Sequence, residues 1–217
     1  MLLQRCIESG RNCALLLTLM IFGGCAGGGL VTAPTTVDGG KSTQAAANNA
    51  LVPAAALTLY EQATAVMATG DVVEAELRFK AFLLQYPEYP GAHVNLAIIE
   101  AMSYNDEAAR VSLDAALALN PEFPAALNQL GQLLRRNGDF SAAEAAYLKA
   151  VTVSPDYALA HYNLGVLYEL YLQRLDDALT HFEAYQALVA EDKQVEKWIA
   201  DLRRRIAAAQ RTANVAD

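Results

Sequence analysis

The residues that could carry out chemistry are few and scattered in this chain of 217 residues. It has three cysteines and three histidines, His93, His161 and His181, and none of the histidines stands near a cysteine in the sequence. This spacing is unlike that of a metal-ligand set. The chain also lacks a glycine-rich phosphate loop and the turn motif that exposes a nucleophilic serine. We therefore predict that the protein is not an enzyme and holds no catalytic residue, no metal and no cofactor.

The composition indicates a helical fold. Alanine supplies 42 residues, whereas aromatic side chains make up only 8% of the chain. Alanine loses the least free energy on entering a helix, and its small size lets two helices approach closely. The formal net charge of −8 argues against a protein that binds nucleic acid through its phosphates. The chain is therefore predicted to be all-α and to bind no nucleic acid.

The N-terminal residues have the layout of an export signal. Arg5 and Arg11 precede an apolar run over residues 14–22, and small residues follow it. A run of this length makes about 13 Å of helix, which is too short to cross a hydrocarbon core of about 30 Å. We predict that residues 1–24 form a signal peptide.

The cysteine that follows this run indicates which class of signal peptide the chain carries. Gly23-Gly24-Cys25 resembles the lipobox of bacterial lipoproteins, in which the cysteine is acylated and the chain is cut just before it. Cleavage there would leave one cysteine in the mature chain, and lipidation would account for it. The resemblance implies lipidation of Cys25, with a palmitate-type acyl chain, and attachment on the periplasmic side of the bacterial cell envelope. By resemblance to the sorting signals of enterobacterial lipoproteins, Ala26, next to the cysteine, implies the outer membrane.

The residues after Cys25 are predicted to form a tether. Residues 25–54 contain almost no large apolar side chain, so they cannot build a core. We expect them to form a flexible, lipid-anchored linker.

An internal repeat of thirty-four residues organises the rest of the chain. Three prolines recur at this spacing, and so do three alanines and the set Gly70, Tyr104 and Gly138. The prolines are Pro87, Pro121 and Pro155, and the alanines are Ala75, Ala109 and Ala143. Matches in several registers at once indicate a repeated structural unit.

This pattern resembles the tetratricopeptide repeat, whose unit is a pair of antiparallel helices. Residues 55–192 would hold four units, at 56–89, 90–123, 124–157 and 158–192. The third fits best, with Gly131 and Ala143 where the helices cross. The fourth needs an extra residue, so a bulge or longer turn is expected near residues 172–175. The resemblance implies an α-solenoid, closed by a capping helix at 193–210 and followed by a disordered tail at 211–217.

The resemblance also indicates which residues could bind a partner. His93 and His161 occupy equivalent core positions, so we expect them to be packed and hydrogen-bonded, whereas His181 is expected to face solvent. First helices usually line a concave groove. The implied peptide-binding residues are Tyr60, Thr64, Met67, Asn95, Ile98, Met102, Asn128, Gln132, Arg135, Arg136, Tyr162, Asn163 and Glu169. Asn95 and Asn163 match an asparagine common in the repeat, so they could equally serve folding. Ala125 and Gln129 replace the basic residues of the clamp that cytosolic co-chaperones use for acidic tails.

Two functions remain open at this point. The first is a lipid-anchored periplasmic scaffold or adaptor whose groove binds another envelope protein. By resemblance it would serve a multi-protein assembly such as pilus, TonB-type or peptidoglycan machinery, and no small-molecule substrate is implied. The alternative is a structural spacer that associates with itself and binds no peptide.

Overall fold

The computed structural model describes residues 53–216, so the predicted signal peptide, Cys25 and nearly all of the linker lie outside the described residues. The described part contains nine α-helices and one short π-helix, and it has no strand. The elements are α1 (Ala54–Thr69), α2 (Val72–Gln85), α3 (Pro90–Met102), α4 (Asp106–Leu119), α5 (Pro124–Arg136), α6 (Phe140–Val153), α7 (Ala158–Leu167), the π-helix (Tyr168–Leu172), α8 (Leu175–Leu188) and α9 (Lys193–Ala216). Among these residues, no helix combines the length and the apolar character that a membrane span requires.

Consecutive helices pack in pairs, and the pairs stack. The helices α1 to α8 form four pairs, each joined by a short turn, and α9 packs against α8. Each first helix also contacts the first helix of the next pair. This arrangement confirms the predicted α-solenoid of four helix-turn-helix units with a C-terminal capping helix.

The thirty-four-residue period has a local cause in the turn inside each unit. Asp71, Asn105 and Asp139 precede the second helices of units one to three, and each side chain accepts a hydrogen bond from the backbone N–H three residues later, at 3.1 to 3.2 Å. Such a bond satisfies a donor that the helix start leaves unpaired. Gly70 and Gly138, just before two of these caps, have φ near +80°, a backbone region that glycine enters without steric cost.

The turn of the fourth unit departs from the others, as the sequence predicts. The π-helix Tyr168–Leu172 continues α7, and Gln173 then takes a positive φ of 56°. A π-helical turn holds one residue more than an α-helical turn. The added residue therefore keeps Ala178 and Phe182 pointing into the core, where both are fully buried.

Small residues meet aromatic rings where the two helices of a unit cross. A Cβ atom placed on Gly131 would lie 2.5 Å from the ring of Tyr147, and one on Gly165 would lie 2.7 Å from the ring of Phe182. Both rings are fully buried. The glycines are therefore required by close approach, since a methyl group would overlap the ring.

The last helix closes the apolar end of the stack. Val195, Ile199 and Leu202 are buried, and Trp198 packs at 5.5 Å from the ring of Phe182. Helix α9 extends to Ala216, so it is longer than the predicted 193–210, and the prediction of a disordered tail is wrong up to that residue. The alanine run at 207–209, which has the highest helix propensity, precedes this segment and favours continuation of the helix.

The crossing of Gly131 with Tyr147 can be tested by a double-mutant cycle. Gly131→Ala should destabilise the protein by about 1–3 kcal/mol through overlap with the ring. Tyr147→Leu alone should also destabilise it, because the ring leaves a cavity. The double variant recreates the alanine–leucine combination of Ala97 and Leu113 in unit two. Urea unfolding measures the free energy of unfolding of each variant. The loss in the double variant should be smaller than the sum of the two single losses by at least about 0.5 kcal/mol. Additive losses would contradict the proposed fit.

Candidate binding groove

The structure divides the predicted groove residues into two groups. Five of them are buried, so they cannot contact a partner, and the prediction that they line the groove is wrong. These are Tyr60, Asn95, Ile98, Asn128 and Asn163. They lie where the first helices of successive units pack, a burial that register alone did not reveal.

Four of the buried residues form hydrogen bonds between units. The amide nitrogen of Asn95 donates to the hydroxyl of Tyr60 at 2.9 Å, which joins units one and two. The amide nitrogen of Asn163 donates to the side-chain oxygen of Asn128 at 2.9 Å, which joins units three and four. A buried polar group needs such a partner. The asparagines therefore serve folding, which settles the alternative left open by the sequence.

Three further predicted groove residues are engaged by neighbouring elements. Arg136 forms an ion pair with Asp106 and donates to the carbonyl of Ala101 at 2.9 Å. Glu169 accepts from Arg205 of the capping helix at 2.6 Å. The centre of the Tyr162 ring lies 6.0 Å from that of Trp198, which also belongs to the capping helix α9. These groups hold the stack together and are only partly available to a partner.

The remaining predicted residues are accessible. Met102 is exposed, and Thr64, Met67, Gln132 and Arg135 are half-buried. The hydroxyl of Thr64 donates to its own helix, to the carbonyl of Glu61. The groove that a partner can reach is therefore narrower than predicted and centres on Gln132 and Arg135.

A pocket opens beside these two residues. It has a volume of about 510 Å³ and lies between units two and three. Small alkyl side chains form one side, and amide, guanidinium and aromatic groups form the other. The lining residues are Ala97, Ala101, Ala109, Leu113, Gln129, Gln132, Leu133, Arg135, Arg136, Gly138, Phe140 and Tyr171.

Arg135 is the charged group at this pocket that lacks a counter-ion. Within residues 53–216 it forms no ion pair with a carboxylate, unlike its neighbour Arg136. Its guanidinium carbon lies 5.6 Å from the centre of the Tyr171 ring, and that ring is 4.8 Å from the ring of Phe140. Burial raises the pKa of Tyr147 to about 12, and the nearby charge of Arg135 opposes this shift. Arg135 is therefore a positive group held by aromatic contacts.

Sequence reasoning missed much of the pocket wall. Phe140 and Tyr171 were not predicted, nor were Ala97 and Ala101 as lining residues. Two signals could have found them. Unit two has Leu113 where units one and three have Phe79 and Tyr147, and the extra residue of unit four lies close to Tyr171.

The histidines follow the predictions in part. The ring nitrogens Nε2 of His93 and His161 bond to the carbonyls of Pro87 and Pro155 at 2.9 and 3.1 Å, so both are hydrogen-bonded as predicted. The prediction that His181 faces solvent is wrong.

His181 is half-buried because unit four folds it against its neighbours. Its ring stacks on Tyr168 with 5.5 Å between centroids. Its Nδ1 lies 3.0 Å from Nδ1 of His161. Since Nε2 of His161 must donate to a carbonyl, its neutral ring accepts at Nδ1, and His181 donates. Burial, aided by His161, lowers the pKa of His181 to about 4. Across residues 53–216, no three His, Cys, Asp or Glu side chains gather as metal ligands would.

Comparison with known proteins identifies the family. A TPR repeat model matches residues 131–170, and two tetratricopeptide repeat models match residues 112–145 and 60–122. Together the matches span residues 60–170, which is more than half of the chain. The chain belongs to the tetratricopeptide-repeat (TPR) family. TPR units generally act as scaffolds for protein–protein interaction rather than as catalysts.

One curated relative matches a short segment. The human protein O-mannosyl-transferase TMTC2 is 42% identical over 65 residues, which is 30% of this chain and 8% of that protein. The likeness is therefore confined to a repeat segment of a much longer protein.

Several solved TPR structures share the fold. PilF of Pseudomonas aeruginosa has a TM-score of 0.65 at 22% identity, over 71% of this chain and 70% of that one. TTC0263 of Thermus thermophilus has a TM-score of 0.59 at 23% identity, over 68% and 80%. MamA has a TM-score of 0.52 at 26% identity, over 61% and 72%. These matches support the repeat architecture.

The lowered pKa of His181 predicts how stability depends on pH. Because the folded pKa lies below the unfolded value of 6.5, this group has no effect above that pH. As the pH falls from 6.5 towards 4, the unfolded chain binds the proton more readily, so stability declines. From pH 7 to 5 we expect a loss of about 1–2 kcal/mol, reduced by the partial exposure of the ring.

His181→Phe should remove this part of the decline, because phenylalanine keeps the stacking on Tyr168 without titrating. Urea unfolding followed by circular dichroism at both pH values measures the difference. An equal loss of stability in wild type and variant would show that His181 is not the responsible group.

Proposed function

We propose that this protein is a lipid-anchored scaffold of a bacterial cell envelope that captures a segment of a partner protein in its groove. The observation that carries the binding part is Arg135, a guanidinium that has no carboxylate partner among residues 53–216 and lies beside an open pocket. A positive group of this kind is ready to pair with a carboxylate. The anchoring part rests on the lipobox-like residues around Cys25 and on the apolar run before them.

The TPR fold supports peptide capture as a mode of action. The first TPR domain of Spaghetti (RPAP3) was solved bound to an HSP90 peptide, and it has a TM-score of 0.51 to this chain at 16% identity. In our chain the clamp residues are absent, so the partner would be recognised by different contacts. The role in an assembly on the periplasmic side of the outer membrane, such as pilus, TonB-type or peptidoglycan machinery, is part of the proposal.

The anchoring proposal predicts the effect of replacing Cys25. Cys25→Ala should abolish acylation and move the protein from the membrane fraction to the soluble fraction, because acyl chains supply the apolar contact with lipid. Fractionation of cells, together with metabolic labelling by an alkyne fatty acid, measures both properties. Cys13→Ala is the matched control, since that residue lies in the predicted signal peptide and should leave anchoring unchanged. A Cys25→Ala protein that stays labelled and membrane-bound would contradict the anchor.

The binding proposal predicts that replacing Arg135 weakens partner binding and that replacing Arg110 does not. Arg135→Gln removes the charge and leaves a shorter, polar and unbranched side chain, so it should reduce the amount of cross-linked partner several-fold in cells. Arg110→Gln is the matched control, because Arg110 lies on α4, outside the pocket, and pairs with Asp114 in its own helix. Arg136 is left unchanged, because its ion pair with Asp106 holds two units together.

Cross-linked product is quantified after affinity purification of the full chain. Thermal melting of both variants checks that the fold is intact. Equal partner recovery with folded Arg135→Gln would remove the groove from the proposal. Cross-links between copies of the chain alone would favour the self-associating spacer instead.

A further inference from the structure

Unit one carries an exposed apolar stripe on its second helix, α2. Val73, Leu77 and Leu84 are 71%, 61% and 86% exposed. At about 100° per residue these three positions lie within about 40° of one another around the helix, on the side away from the buried rings of Phe79 and Phe82. In units two to four only one corresponding residue is large and apolar, Val111, and the others are Glu107, Ala118, Ser141, Ala145, Thr152, Asp176, Thr180 and Ala187. Such a row of exposed apolar side chains indicates a contact surface.

This stripe lies on the opposite side of the solenoid from the groove. Within residues 53–216, the first helices of successive units pack on one another along the stack, whereas the second helices make no comparable contact. The first helices therefore form the concave side, and α2 belongs to the convex side. A molecule bound at the stripe leaves the groove and Arg135 free.

The charged residues beside the stripe form two pairs with the same direction along the helix. On one flank Arg78 donates to the carboxylate of Glu74 at 2.7 Å, and on the other flank Lys80 donates to Glu76 at 2.5 Å. In each pair the carboxylate precedes the cation by four residues, and Leu77 lies at the centre of the four. Reversing the direction of the helix therefore exchanges the places of carboxylates and cations.

This charge pattern is complementary to itself. When a second α2 packs antiparallel on the first, about a twofold axis at Leu77, the same flanks of the two helices face each other. Arg78 then lies beside Glu74 of the second copy. Lys80 lies beside Glu76 of the second copy on the other flank. Opposite charges on facing surfaces favour this pairing and fix its direction.

The apolar residues fit the same register. Leu77 meets its own copy on the axis, and Val73 meets the small side chain of Ala81 of the second copy. Leu84 lies over the turn at Gly70 of the second copy, where an added Cβ would meet no atom within 4 Å. One arrangement therefore satisfies charge, apolar contact and available space together.

A lipid surface suits the stripe less well. Asp71, Glu74 and Glu76 lie along the same helix as the apolar residues. Anionic headgroups attract basic segments and repel carboxylates. The self-complementary pairs instead favour a second protein copy.

We propose that α2 is a dimer interface, through which the convex side of unit one pairs with a second copy of this chain. A contact made by one helix from each copy falls below the roughly 1,200 Å² at which stable interfaces begin, so the dimer is weak in dilute solution. The proposed lipid anchor would hold the copies on one surface and raise their effective concentration. This inference goes beyond the proposed function, because the dimer leaves the groove available to a partner.

Cysteine cross-linking tests the position of the twofold axis. Leu77→Cys places a sulfur on the axis, and Ala145→Cys, at the equivalent place in unit three, is the matched control. Oxidation of the membrane-bound full chain, followed by non-reducing electrophoresis, measures the dimer that each variant forms above the wild-type background. Leu77→Cys should give at least about fivefold more dimer, because a disulfide needs Cα atoms within about 7 Å. Val73→Cys mixed with Ala81→Cys should also cross-link, as the antiparallel register requires.

Charge exchange tests the two flanks. Arg78→Glu with Lys80→Glu leaves four carboxylates beside the stripe, and Glu74→Lys with Glu76→Lys leaves four cations. With Leu77→Cys added, each of these variants alone should cross-link several-fold less, because like charges meet across the axis. The two variants reconstituted together should recover the yield. Thermal melting followed by circular dichroism checks that every variant is folded.

A single substitution provides a second measurement that needs no cysteine. Leu77→Lys lies at an exposed position, so the unit should stay folded, and two lysines would meet on the axis. Sedimentation velocity of the full chain in detergent should show a mass that rises with concentration in the wild type and in Ala145→Lys. That rise should be absent in Leu77→Lys.

Equal cross-linking at positions 77 and 145 would overturn the inference. A mixture of the two charge variants that cross-links no better than either variant alone would overturn it as well. If Leu77→Lys instead reduced binding to phosphatidylethanolamine vesicles without any difference in cross-linking, the stripe would be a lipid contact and not a dimer interface. Each of these failures leaves the Arg135-dependent capture of a partner untouched, so the proposed scaffold function is tested separately.

Discussion

The fold depends on how closely the two helices of a unit can cross. Gly131 and Gly165 bring the helix axes near enough for the rings of Tyr147 and Phe182 to lie flat on the opposite backbone. Dispersion contacts of this kind are individually weak, but a buried ring makes many of them. Each unit exposes one side of this crossing, so it is stable only when the next unit or the capping helix covers it. Repetition of one local fit therefore produces the solenoid.

Between units, polar contacts fix the register that apolar packing leaves free. Buried amides join the first helices of units one and two and of units three and four. At the outer edge, Arg136 reaches back to Asp106, Arg174 to Glu144, and Arg205 to Glu169. Arginine suits this place because its guanidinium can bond a carboxylate and a backbone carbonyl together. Each bridge joins one unit to the next, or the last unit to the capping helix, so these three arginines help to fix the stacking.

The sequence predicted what depends on local chemistry. Turn residues such as Gly138 and Asp139, and the extra residue before Ala178, act on the backbone next to them. Their spacing therefore indicated a repeat, and the resemblance to the tetratricopeptide repeat implied four units with an irregular fourth turn. The groove depends on packing between distant segments, which periodicity does not report. Asn128 and Arg136 therefore carried the right register, but the sequence did not show that both form contacts between units. His181 was misplaced for the same reason, because its burial comes from Tyr168 and His161.

The exceptions to the repeat concentrate in unit two and around the pocket. Leu113 replaces an aromatic ring, and Tyr104 takes a positive φ of 59° where the equivalent residues are glycines. Glu100 is buried where unit three has a leucine; its carboxylate accepts from Ser112 at 2.7 Å, and burial raises its pKa. Each departure costs the unit stability, through lost packing, backbone strain or the burial of a polar group. Of these three residues, Leu113 lines the pocket beside Arg135, whereas the carboxylate of Glu100 is bound to Ser112 in its own unit. The departures therefore act at separate places, and the loss of an aromatic ring at Leu113 is the one that bears on the pocket.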